Sequence, residues 1–397
     1  MKVLLLNQFF HPDLSATAQL ATDLAEDLVA SGLEVTALAA RGSYLGGQKL
    51  PLREVHRGIR IDRVRCTSLG KRSIARRLVD YATFFLSAAA RVLFSRRQDV
   101  VVAMSTPPLV ATLGVMLRRL RGTRFVYWLQ DVYPELAIAF GVVRAGSATA
   151  RVLDGISRLT LRSADAVVVL GEAMAERVRA KGIDPSRVHV VPNWADERVL
   201  RPVQREGNAF RRAHDLAGKR VVLYSGNMGR AHDVATLLGA ARLLRGEPDL
   251  VFLFVGEGAK RAEVEAGARE LPSIRLLPYQ PREGLSESLS AGDVHVVTQS
   301  NFTVGLIEPS KLYGAMAVGR PVLFIGPAGT EAAQTVEHEG IGEVVACGDC
   351  AGAAAALGRL LQRCGELGDR ARAVFECSYT RSLRTARFGR VLRTLPR

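Results

Sequence analysis

The sequence predicts two doubly wound α/β domains, each built on a parallel sheet and joined near the middle of the chain. Three observations carry this. Short apolar runs of strand length alternate with helical patterns through both halves. At 397 residues the chain is long enough for two separate cores. The alternation breaks once, around Pro192, and stays irregular to about Asn208.

Residues 3–7 form the first buried strand. Residues 17–31 form an amphipathic helix, with Leu20, Leu24 and Leu28 on one face and Gly32 as its stop. Residues 35–39 make the next strand, and Ile59, Asp62 and Val64 lie in a short strand of mixed pattern. Strands at 100–104, 125–129, 167–170 and 188–191 follow, with helical stretches between them. A second series runs through 221–224, 250–255, 274–277, 294–298, 322–325 and 344–346. The expected divisions are a first domain at 1–192, a linker at 193–208, a second domain at 209–378 and a basic terminal helix within 379–397. In such sheets ligands sit at the carboxyl ends of the strands.

Apolar residues make up 48% of the chain, which excludes a disordered protein. Five cysteines, an odd number, form no disulfide framework and fit a reducing compartment. Cys347 and Cys350 form a lone CxxC without a second pair or a nearby His, so no zinc site is read there. The apolar run at residues 1–7 is too short for a signal peptide, and no 18-residue apolar span predicts a transmembrane helix. Net charge is +15. It is uneven: residues 1–190 hold 27 Lys and Arg against 16 Asp and Glu, whereas residues 191–397 hold 27 against 23. A basic first half points to an anionic partner such as membrane lipid, nucleic acid or a phosphorylated acceptor.

The stretch from Glu308 to Val322 reads as a loop carboxylate, a helix and a strand. Pro309 suits the first helical turn, and Ser310 and Lys311 follow in it. Leu312, Ala315 and Met316 share one apolar face, and Gly319 can end the helix. A helix start carrying a hydroxyl and an ammonium can hold phosphate. A carboxylate just ahead of it can hold sugar hydroxyls. Together they predict a nucleoside diphosphate sugar as ligand.

Gly226, Asn227, Gly229 and Arg230 follow the first strand of the second domain. Glycines at that position let the backbone approach phosphate, and Arg230 adds charge; an ordinary βα turn is the alternative. Gly256 and Glu257 lie in the next such turn and are read as contacts to base or ribose. In the first domain, a long loop after the first strand carries His11 and Asp13, candidates to touch an acceptor. It also carries Ser15 and Thr17, whose hydroxyls either donate to phosphate or only cap the next helix. Asp131, at a strand end, is the preferred group to position or deprotonate a hydroxyl. Glu135 is either a second acceptor contact or a first-turn helix acid. No Asp-x-Asp occurs, so no metal and no cofactor are expected, and Arg, Lys and helix ends must neutralise the diphosphate.

Lys71, Arg72, Arg76 and Arg77 precede an apolar helical run, and Arg96 and Arg97 follow it. This pattern predicts a helix in a membrane interface, burying Phe84, Phe85, Leu86 and Phe94 with its basic ends on anionic headgroups. A core helix with solvated ends is the alternative.

Taken together, these residues resemble the family-4 retaining glycosyltransferases of the GT-B fold. The nearest branch is the one that builds O-antigen, colanic acid and similar bacterial polysaccharides, including fucosyl and N-acetylfucosaminyl transferases. The resemblance rests on residues 8–15, 130–135, 191–196, 224–230, 254–258 and 308–322. It implies two Rossmann-like domains facing across a cleft, with the donor in the second, the acceptor in the first, and the last helix crossing back. It also implies a UDP-linked sugar donor, a polyprenyl-diphosphate-linked saccharide acceptor and a peripheral place on the cytoplasmic face of the inner membrane. Two departures stand out. The family's paired donor glutamates fall here on Leu306 and Gly314, leaving Glu308 as the nearby acid. The family's Arg and Lys after the first strand of the second domain fall on Asn227 and His232. Arg230 and Lys311 are therefore expected to neutralise the diphosphate. Two rival readings are weaker. A nucleotide-sugar 2-epimerase of the same fold needs more acidic and histidine residues. A nucleic-acid binder needs an aromatic-interleaved basic face, so no nucleic-acid partner is expected.

Overall fold

A computed structural model describes residues 1–43, 49–69 and 73–396. The chain divides into two compact units. One holds Met1–Pro192, Gly305–Ile307 and the stretch from Ser382 onward; the other holds Asn193–Val304 and Glu308–Arg381.

The first unit contains β1 (Lys2–Leu6), β2 (Glu34–Ala40), β3 (Arg53–His56), β4 (Ile59–Val64), β5 (Val100–Met104), β6 (Arg124–Trp128), β7 (Ala166–Val169) and β8 (Val188–Val190). They form one sheet in the order β3-β4-β2-β1-β5-β6-β7-β8. Every residue of β5 and β7 is buried, because helices cover both faces of a doubly wound sheet. The strand order reverses beside β1, which pairs with both β2 and β5. Loops at the carboxyl ends of β1 and β5 therefore diverge there. One strand escapes the sequence reading. β3 runs antiparallel to β4, so this sheet is parallel except at one edge. Its residues are Arg-Glu-Val-His, too polar to read as a core strand. The legible signal was Arg57-Gly58, where both residues take the left-handed φ that a two-residue hairpin turn needs.

The core beneath this sheet includes Leu6, Val101, Phe125 and Leu129. Leu306 packs in the same core, 3% exposed, and its carbonyl accepts the Val132 N–H at 2.9 Å. The final helix, Arg381–Arg393, sets Phe388 edge-on against Trp128, with ring centroids 4.9 Å apart. Thr385 on that helix donates to Asp27 at 2.8 Å.

The helix Ile74–Leu93 corrects the expected membrane face. Phe84, Ala88 and Val92 recur every fourth residue and point into the core, with Phe84 1% exposed. Phe85 packs partly against the same cluster. Phe84 cannot reach a membrane. Asp80 is also turned inward, accepting from Thr67 Oγ1 and the Leu69 N–H. The outer face carries Leu78, Val79, Leu86, Leu93 and Phe94, and Phe94 is 88% exposed. Arg76, Arg77, Arg96 and Arg97 are exposed at the two ends. Lys71 and Arg72 lie outside the described residues. Among the described residues, no helix is long and apolar enough to cross a membrane.

The second unit contains β9 (Arg220–Ser225), β10 (Leu250–Val255), β11 (Ile274–Leu277), β12 (Val294–Thr298), β13 (Val322–Ile325) and β14 (Gly342–Val345). Its sheet is parallel throughout, in the order β11-β10-β9-β12-β13-β14. Residues 193–208 pack within this unit. Ala195 bridges to Thr380, and the buried Asp196 accepts from the buried Arg381 at 2.8 Å. Here too the reversal lies beside β9, which pairs with β10 and β12.

Candidate active site

Two glycine turns at the carboxyl ends of β9 and β10 lock together. Gly226 N–H donates to the Val255 carbonyl at 2.8 Å, Met228 N–H to Glu257 at 2.7 Å, and Lys260 N–H to Met228 at 2.9 Å. A Cβ on Gly256 would come within 2.3 Å of the Gly226 carbonyl, and one on Gly258 within 2.4 Å of the Met228 carbonyl. Both glycines also hold positive φ. Only residues without a side chain allow this approach. Gly258 thus has a structural role that the spacing of Gly226 and Gly229 did not reveal. Glu257, expected at the base or ribose, ion-pairs with Arg261 at 3.0 Å. Its backbone carbonyl, not its carboxylate, joins the turns.

Lys311 crosses the first turn. Its Cε lies 2.8 Å from where a Gly226 Cβ would be. Its Nζ sits 3.1 Å from His232 Nε2 and 5.1 Å from the Tyr224 ring centroid. Among the described residues no carboxylate ion-pairs with it. Burial without an anion lowers its pKa to about 7. His232 is buried as well, and burial together with the Lys311 charge lowers its pKa to about 3. Tyr224 donates its hydroxyl to the Asn227 carbonyl at 3.0 Å, fixing that residue's backbone. Gly229 is tight against the Asn227 side chain. Arg230 is exposed at the end of the turn.

The helix after Glu308 spans Lys311–Ala317, so Pro309 and Ser310 precede it instead of lying in its first turn. Ser310 is the N-cap residue but makes no side-chain cap bond. Gly319 ends the helix with φ 64, as its position predicts. The Glu308 carboxylate accepts backbone N–H groups of Glu331 and Ala332 at the start of the helix Glu331–His338. Its Oε1 is buried with no partner among the described residues. Burial and the neighbouring Glu331 push its pKa up to about 8. Glu308 therefore carries a proton near neutrality and can both donate to and accept from a hydroxyl. The N–H donors to Glu308 come from a helix start twenty-odd residues on, which no local pattern announced.

The first-unit candidates fall into two groups. Asp131 sits beyond β6, where Ser105 Oγ accepts the N–H groups of Gln130 and Asp131 at 3.1 and 3.0 Å. Burial raises its carboxyl to about 6. Glu135 begins the helix Glu135–Ala139 and ion-pairs with Lys181 at 2.7 Å, while its Oε2 is buried without a partner among the described residues. In the loop after β1, His11 stacks on His56 at 3.6 Å, and its carbonyl accepts from Arg63 at 2.6 Å. Asp13 accepts the Ser15 N–H at 2.8 Å. Ser15 is the N-cap of the helix Ala16–Ala30, yet its hydroxyl makes no cap bond and is buried without a partner among the described residues. Thr17 lies in the first turn of that helix. Among the described residues no group of three His, Cys, Asp or Glu is placed to hold a metal ion.

Residues 16–194 match the family model "Glycosyl transferase 4-like domain", and residues 219–363 match "Glycosyl transferases group 1". The chain is 32% identical to WbjE of Pseudomonas aeruginosa, named as a glycosyltransferase, over 82% of each chain. It is 28% identical to WcaI of Escherichia coli K12, named for colanic acid biosynthesis, over 85% of this chain and 86% of that one. Among solved structures, sucrose-phosphate synthase of Thermosynechococcus elongatus superposes with a TM-score of 0.79 at 19% identity, covering 100% of this chain and 99% of its own. HepE of Anabaena in complex with UDP-glucose gives 0.73 at 17% identity, covering both chains fully.

Proposed function

Because the chain belongs to the glycosyltransferases that pair a 4-like first domain with a group 1 second domain, we propose that it moves a sugar from UDP to a lipid-linked saccharide. One observation carries the donor reading: the half-buried Lys311 ammonium lies across a glycine turn, and among the described residues no carboxylate ion-pairs with it. A diphosphate is the missing anion. HepE, similar in fold, holds UDP-glucose, which supports UDP as the carrier. The colanic acid role in the name of WcaI supports a polysaccharide as the product, and the acceptor we assign is a polyprenyl-diphosphate-linked saccharide. The epimerase and nucleic-acid readings find no support among these relatives.

The chemistry follows from charge. As the glycosidic bond breaks, negative charge grows on the departing diphosphate. Lys311 stabilises it from a low-dielectric site, where an ammonium acts strongly. Arg230, at the end of the turn, adds a second positive charge. Glu308 holds hydroxyls of the donor sugar through its unpaired Oε1. Asp131 positions the acceptor hydroxyl, whose proton passes to the departing phosphate. This route transfers the sugar with retention and uses no metal. The outer face of the helix Ile74–Leu93, with arginines at both ends, rests the first domain on an anionic membrane at the cytoplasmic surface. The test is turnover. Purified protein, a panel of UDP-sugars and lipid extract from a polysaccharide-producing bacterium should release UDP and yield a lipid one sugar heavier. No release with any nucleoside diphosphate sugar would overturn the reading.

A further inference from the structure

His232 answers the Lys311 ammonium in a place where a carboxylate would be expected. Its two ring nitrogens have different partners. Nδ1 lies 2.7 Å from the Thr298 carbonyl, and Nε2 lies 3.1 Å from Lys311 Nζ. A carbonyl can only accept, so Nδ1 carries the hydrogen and Nε2 presents a lone pair. The ring is neutral, and Lys311 is the donor. Thr298 is the last residue of β12 and fully buried, so the ring is anchored to the sheet.

We propose that His232 is a positioning residue for glycosyl transfer, a neutral strut that aims the Lys311 ammonium over the Gly226 turn without cancelling its charge. A carboxylate there would orient Lys311 equally well, but it would neutralise the ammonium and repel an anionic substrate. A neutral acceptor takes one of the three ammonium hydrogens and leaves two for diphosphate oxygens. The Tyr224 ring, 5.1 Å from Nζ, makes a second wall that also carries no negative charge. The groups facing the pair are Tyr224, the Thr298 carbonyl and Lys260, whose charge acts on the ring. No carboxylate among the described residues ion-pairs with either partner. The strut therefore favours a neutral imidazole from every side. This proposal rests on the reading of Lys311 as the diphosphate cation.

The direction of the pH effect follows. Lys311 binds an anion only while protonated, and burial sets its proton loss near pH 7. Affinity for a diphosphate should fall as pH rises through that value. Shortening His232 admits water, relieves the burial and moves the fall toward higher pH.

The experiment is calorimetric titration of the full chain, at pH 6 to 9, with whichever of UDP, GDP, ADP and dTDP the wild type binds most tightly. His232→Gln should retain the strut, since its amide N–H₂ can reach Thr298 and its amide oxygen can accept from Lys311. Its affinity should stay within about threefold of wild type. His232→Asn reaches Thr298 but falls short of Lys311, and it should lose about tenfold at pH 6.5, the scale of one lost hydrogen bond. His232→Ala should lose about as much, with the fall in affinity displaced upward by about one pH unit or more. Thermal unfolding of each variant separates misfolding from mispositioning. If His232→Ala does not fold, the Gln and Asn pair decides. Equal behaviour of Gln and Asn, or an alanine variant with wild-type affinity and pH profile, overturns the proposal. Wild-type binding by Lys311→Met, or no binding by any of the four nucleotides, refutes the cation reading itself and so removes the premise.

Discussion

Lys311→Met should separate catalysis from stability. The substitution keeps most of the side-chain volume and removes only the charge. Two unit charges about 4 Å apart attract by about 4 kcal/mol at an effective dielectric near 20. At about 1.4 kcal/mol per tenfold change, full loss would cost close to 1,000-fold in kcat/KM. Measured losses of one preorganised group run about 100- to 1,000-fold, so this is the expected range. Stability should move the other way. A lysine whose folded pKa is depressed costs the folded state more as pH falls from the unfolded value to about 7, and the cost is constant below that. Over two pH units this is roughly 2–3 kcal/mol. Lys311→Met should therefore melt higher than wild type at pH 6.5, with the difference shrinking toward pH 9. The assays are initial rates of UDP release from UDP-sugar and calorimetric melting at both pH values. A variant with full kcat/KM, or one that melts lower than wild type at pH 6.5, would refute the reasoning.

If the buried Oε1 serves the donor sugar, as we propose, Glu308→Gln should impair transfer at least tenfold while UDP affinity changes little; an equal loss in UDP titration would move Glu308 to the nucleotide. Activity should survive EDTA, and loss restored by Mg²⁺ or Mn²⁺ would show that a metal serves the diphosphate after all. Leu86→Asp with Phe94→Asp should release the protein from anionic vesicles in a sedimentation assay without changing its melting, since both side chains are exposed. Phe84→Asp should instead unfold it, by placing a charge in the first core.

Strands with continuous apolar runs were legible because a sheet covered on both faces leaves no polar positions, as in β5 and β10. The edge strand β3 was not, because an exposed edge has no such run. The helix Ile74–Leu93 shows a different limit. Its aromatic content was visible, but which face met the sheet depended on its packing against β2 and β4, and Phe84 fell inside. In the second domain the glycine turn and Lys311 stood out by type and spacing. Their coupling through His232 and Thr298 did not, because it joins three elements distant in sequence. The same holds for Leu306, which lies two residues before Glu308 yet packs in the core of the first unit.

Hydrogen exchange with and without a nucleoside diphosphate tests the central claim most directly. The nucleotide should be the one among UDP, GDP, ADP and dTDP that raises the melting temperature most. Bound nucleotide should protect amides at 225–232, 256–260 and 308–313 of the second domain, and Lys311→Met should abolish that protection. Protection confined to residues 8–17 or 129–135 of the first domain, or none at all with any of the four, would contradict the account.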